Sequence, residues 1–169
     1  MENLILFLAT SFVIRFSSSQ RIKVQTIGNT GCSAFLSSAG SLDSSLTQSG
    51  DRLYFHEFKD TGVTYGLICV RMQEEYKLED AEQMLKSYIE KLRGPFSILH
   101  NTGMHDDADW NSETTSTIVD YWQDCSKKDW KVKGYTDGKT LAVLYVKNIG
   151  HVDVKKQDLF LDSFHFGQA

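Results

Sequence analysis

The sequence predicts an α+β fold, one antiparallel β-sheet flanked by helices, and three observations carry that expectation. Two strand-rich stretches, residues 53–72 and 130–147, are each broken in the middle by an Asp- and Gly-containing turn. Between them the apolar spacing switches to the helical period, over residues 80–92. A further segment, residues 153–164, closes the chain with apolar side chains at helical intervals. Strands, helix, strands and terminal helix in that order fit a sheet with helices packed on it. A length of 169 residues suits one domain. A chain of that size buries about 70% of its unfolded surface, so neither metal nor disulfide is needed to make a core.

Taken in order, residues 1–19 read as a signal peptide. Residues 4–14 form an apolar run too short for a bilayer, which needs roughly 20 residues, and Ser17, Ser18 and Ser19 precede Gln20 as small cleavage-site residues. Glu2 in the head and Arg15 after the run argue the other way, toward a buried first strand or helix. Residues 20–169 then form a single domain. Residues 26–49 are rich in Ser, Gly and Thr, with a short strand at 32–36. Leu53 to Phe58 alternate, "KDTG" at 59–62 makes a hairpin connection, and 63–72 is a strongly apolar strand.

In the helix, Ala81, Met84, Leu85, Tyr88, Ile89 and Leu92 share one face. Asp80 is placed to cap its start, with Gln83 in capping-box position, and Gly94–Pro95 stops it. Residues 100–117 read as a long polar loop. Residues from 118 onward fit a strand or a helix, with strand chemistry favoured. Leu141 to Val146 are apolar at both parities, which marks a central strand covered on both faces. In the closing helix Leu159, Phe160, Phe164 and Val152 supply the apolar contacts.

Composition narrows the function. Eighteen basic against 22 acidic residues give a net charge of −4, which disfavours a generic polyanion-binding surface. Lys127, Lys128, Lys131 and Lys133 around Trp130 resemble a nucleic-acid patch, but Asp120, Asp124 and Asp129 offset their field, so no nucleic acid is expected. No membrane span is expected either. No G-x-S-x-G elbow, G-x-G-x-x-G or P-loop is present, so nothing marks a nucleophilic serine or a phosphate cradle. Three cysteines, Cys32, Cys69 and Cys125, lack CxxC spacing; Cys69 reads as a buried hydrophobe, and an exported chain has the option of a Cys32–Cys125 disulfide.

The richest polar cluster is His100, His105, Asp106, Asp107 and Asp109. Imidazole with carboxylates suits Zn or Mn, and the carboxylates alone suit Ca. The D-x-D-x-D-G loop and HExxH are both missing, so a solvated acidic loop competes with the metal reading. His56 alternates with core-facing neighbours and reads as an outward or satisfied histidine. His151 and His165 flank the last helix.

The stretch over 141–166, with Tyr145 in its apolar strand and then "FLDSF" at 160–164, resembles the PsbP-like superfamily. The likeness covers residues 20–166 through the order of strand, hairpin, helix, two long strands and terminal helix. It implies a PsbP-like α/β/α sandwich without catalytic activity, a binding or assembly factor for an unknown protein partner. No cofactor is expected, and the signal peptide read at residues 1–19 makes the domain exported, to the periplasm or beyond. Two other readings stand beside it: an envelope metal-dependent or hydrolytic enzyme using the loop over 100–109, and an intracellular adaptor.

Overall fold

The computed structural model describes residues 22–38, 41–109, 111–149 and 153–167. The expected leader, Val152 and His151 lie outside the described residues. Strands β1 (Ile22–Thr26) and β2 (Ser33–Ser37) form a separate two-stranded ribbon. The main sheet holds β3 (Asp43–Leu46), β4 (Arg52–Asp60), β5 (Val63–Arg71), β6 (Ile98–Asn101), β7 (His105–Asp106), β8 (Ser116–Asp124), β9 (Asp129–Thr136) and β10 (Thr140–Lys147). Helix α1 spans Leu78–Leu92 and α2 spans Val154–Leu161. The sheet runs β3-β4-β5-β10-β9-β8-β6, with β7 also beside β8, and every ladder is antiparallel.

Both expected hairpins form. Thr61 and Gly62, at φ 48° and 84°, are the left-handed pair of the β4–β5 turn, a twist that matches its strands. In the β9–β10 turn Gly138 is left-handed, and Asp137 Oδ1 accepts the backbone N–H groups of Lys139 and Thr140 at 2.9 and 2.7 Å. The hairpins then join side by side, β5 against β10, from Thr140↔Arg71 to Lys147↔Thr64.

Alternation along β10 splits the core in two. Leu141, Val143 and Tyr145 face α1, meeting Leu85 and Ile89. Ala142, Leu144 and Val146 face α2 and the β1–β2 ribbon, meeting Phe160, Leu161, Ala34 and Leu36. Helix α1 lies close to β9 because that strand has Gly134 beneath it, where a Cβ would stand 2.7 Å from Ile89 Cδ1. The chain end is fastened by a reciprocal backbone pair between Ser33 and His165, at 2.9 and 2.8 Å. Among the described residues, no helix is long and apolar enough to cross a membrane.

Several local expectations are corrected. Helix α1 starts at Leu78 behind Lys77, so Asp80 sits in its first turn beside Glu79 and favours the helix dipole rather than capping it. Gly94 is not left-handed; Ser97, at φ 55°, turns the chain instead. The 100–117 stretch carries the end of β6, all of β7 and the start of β8, because edge strands satisfy backbone groups without needing an apolar face. Residues from 118 onward are strand. Helix α2 is shorter than expected, and Leu159 is 62% exposed, since the buried stripe is Gln157, Phe160 and Leu161. His56 is buried, with Nδ1 3.0 Å from the Ser41 carbonyl oxygen, and is not outward.

The cysteines are free. Cys32 lies against Thr140 at one end of the sheet, and Cys125 follows Asp124 at the other, exposed. An eight-residue strand separates those ends by roughly 25 Å, far beyond disulfide reach.

Tyr145 is the most demanding core residue. It is fully buried, and its ring crosses Gly66 of β5 so that its hydroxyl donates to Glu57 Oε2 of β4 at 2.7 Å. A Cβ at Gly66 would stand 2.0 Å from Tyr145 Cζ. Gly66→Ala is therefore expected to destabilise the fold by roughly 1–3 kcal/mol in urea unfolding, the range for overpacking a core. An unchanged midpoint would show that the ring is not held across β5.

Candidate functional site

The candidate site arises from the parity of two strands and the placement of one helix. On the α1 side of the sheet, Leu53, Val70 and Leu141 stand in a row across β4, β5 and β10. Helix α1 covers β8, β9 and β10, so the β4–β5 half of this face is left open beside it. The result is a groove of about 550 Å³. Its floor is Leu53, Val70, Met72 and Leu141, and α1 contributes Met84 and Tyr88. Phe55, 36% exposed, continues the apolar floor along β4.

The far wall is built from the β3–β4 turn. Asp51 accepts from the Gln73 backbone N–H at 3.0 Å and from Ser49 Oγ at 2.6 Å, while Gln73 Nε2 donates to the Gly50 carbonyl at 2.9 Å. Burial pushes the Tyr88 hydroxyl above its ordinary pKa, so it stays protonated and offers a donor. Asp51 and Lys91 put one charge of each sign on the rim. Such a trough suits apolar contact.

The sequence-predicted metal residues are spread out. His105 and Asp106 are successive on β7 and so point to opposite sides. His105 stacks on Tyr121 at 6.3 Å between ring centroids. Asp106 lies 3.9 Å from Lys86 Nζ, and Asp107 lies 2.8 Å from Lys133 Nζ. Asp109 is exposed, and His100 lines a separate hollow of about 320 Å³ with Tyr121 and Trp122. Among the described residues, no group of three His, Cys, Asp or Glu side chains is gathered to hold a metal. The lysines around Trp130 do not form a patch with its ring. Trp130 is buried on the α1 side, while Lys131 and Lys133 turn the other way to Asp158 and Asp162.

Sequence reasoning missed three buried charge clusters. Asp120 accepts from Arg93 Nη2 at 2.8 Å and Trp122 Nε1 at 2.6 Å. Lys133, 3% exposed, holds Asp107 and Asp162 together at 2.8 and 2.6 Å. Asp124 is paired with Lys147 at 2.9 Å and accepts from Trp130 Nε1 and the backbone N–H groups of Ser126 and Lys128. A signal existed: Asp120 and Trp122 are two apart in a strand, hence on one face. In comparisons with known proteins, no family model matches this chain and no curated protein matches it.

Burial alone would raise the Asp124 carboxyl, but the Lys147 ammonium, the two backbone N–H groups and the Trp130 indole outweigh it and hold the pKa down at about 2. The folded value lies below the ordinary 3.8, so the stabilisation is complete above 3.8 and is lost as pH falls toward 2. The depression corresponds to about 2 kcal/mol. Asp124→Asn is expected to remove that acid-labile contribution. Urea unfolding between those two pH values checks it, and equal pH slopes in variant and parent would contradict the account.

Proposed function

We propose that this chain is a non-catalytic binding or assembly domain of PsbP-like type, exported, which takes the apolar side chains of a protein partner into the groove between α1 and β4–β5. The groove is the observation that carries the reading. It has a volume of about 550 Å³ and an apolar floor of Leu53, Val70, Met72 and Leu141. Met72 and Met84, unbranched and polarisable, adapt to irregular partner surfaces. The balanced rim charges of Asp51 and Lys91 favour an uncharged partner patch over an acidic or basic one.

The "FLDSF" stretch supports the kinship as a docking element. Phe160, Leu161 and Phe164 enter the core, Asp162 takes Lys133, and Ser163 Oγ accepts the Phe35 backbone N–H at 2.9 Å. Helices on both faces of an antiparallel sheet agree with the sandwich that the family implies. Export rests on the apolar run over residues 4–14 and the small residues Ser17, Ser18 and Ser19 before Gln20.

The test is capture from the native host, followed by affinity measurement with the purified partner. Met84→Lys on the exposed groove wall is expected to weaken that partner roughly tenfold, as loss of an interface anchor does. Leu159→Lys, on the opposite face of the sheet, is expected to leave it unchanged. Equal affinity of the Met84→Lys and parent proteins would overturn the groove reading. Intact mass of the native chain is expected to begin at Gln20, and a mature chain retaining Met1 would overturn export.

A further inference from the structure

At the same end of the sheet as the groove, but on its other face, lies a second and more polar hollow of about 400 Å³. Strand parity creates both. Val70 and Met72 turn toward α1, and Arg71 between them turns under the β1–β2 ribbon. The hollow is closed by Thr30 and Cys32 of that ribbon, by Asp137 and Lys139 of the β9–β10 turn, and by Phe166.

Arg71 is half-buried there, and Nη1 donates to Thr140 Oγ1 at 3.2 Å. Among the described residues no carboxylate lies within ion-pair distance of it. The other charges at this hollow are already engaged. Lys139 pairs with Glu75 at 3.0 Å, and Asp137 Oδ1 accepts two backbone N–H groups. A guanidinium with donors to spare, set in a cleft without its own counter-ion, calls for a planar oxyanion that accepts two parallel hydrogen bonds. Asp137 and Glu75 nearby limit the charge that fits. Arg71, Lys139, Glu75 and Asp137 sum to zero, so a singly charged anion forked on Arg71 meets less repulsion from the two carboxylates than a doubly charged one. Phe166 adds an apolar wall.

We propose that this cleft binds a small organic monocarboxylate, its carboxylate forked on Arg71 and its apolar body against Phe166. This site is separate from the groove and does not depend on the groove's partner.

Benzoate, acetate, the neutral benzamide and inorganic phosphate are the probes, titrated into the full chain with amide NMR shifts at Gly31, Lys139 and Gly167 as readout. Benzoate is expected to bind more tightly than acetate and about tenfold or more better than benzamide, the discrimination of a charge-assisted pair. Arg71→Gln is expected to abolish the preference for benzoate over benzamide, and Lys59→Gln, exposed at the other end of β4, to preserve it. The comparison of benzoate with benzamide on the unaltered protein decides the matter even if Arg71→Gln fails to fold. Equal shifts from the two, no saturation by benzoate, or phosphate binding tighter than benzoate would each overturn the proposal.

Discussion

The ladder between β5 and β10 is the constraint from which the rest of the molecule follows. Each of the two hairpins has a local turn to set its own register, but nothing local brings β5 to β10; only burial of their shared faces does. The joined strands sit mid-sheet with a layer on either side, so residues of both parities must be apolar. Tyr145 is the exception that tightens the arrangement. Its hydroxyl needs a partner once buried, and the missing Cβ of Gly66 lets the ring cross β5 to Glu57 on β4. One side chain thereby ties three strands at a single level.

The β8–β9 side of the sheet is held differently, by charges taken out of water. An isolated buried charge costs several kcal/mol, and a pair repays that only when its remaining hydrogen-bonding sites are filled. Asp120 and Asp124 each combine a basic partner with an indole N–H, and Lys133 has two carboxylates. Each cluster joins elements distant in the chain. Arg93 links the end of α1 to β8, Lys147 links β10 to the β8–β9 turn, and Lys133 links β9 to both the 107 loop and the end of α2. Asp107, which resembles a metal ligand in the linear sequence, serves as one of these ties.

Parity also explains why two hollows of opposite character share one end of the molecule. Consecutive residues of a strand point to opposite faces, so Val70, Arg71 and Met72 deliver apolar, cationic and apolar side chains to the α1 face, the ribbon face and the α1 face again. The α1 face stays open there because the helix lies over β8–β10. The ribbon face stays open because the β1–β2 turn and the segment after α2 meet above it without filling it.

Patterns confined to a few neighbouring residues were readable from the sequence. The helical stripe of α1, the Asp–Gly turns, and the double-sided apolar run of β10 each rest on local geometry, so they appear at nearly the expected positions. What lay beyond the sequence were features that depend on partners far along the chain. The polar edge strands β6 and β7 exist because β8 offers them backbone groups. Asp107 has a lysine 26 positions away as its neighbour, and Arg71 lies in a hollow built from the β1–β2 turn, the β9–β10 turn and the segment after α2. Periodicity records which face a side chain takes, and only the folded chain decides what that face meets.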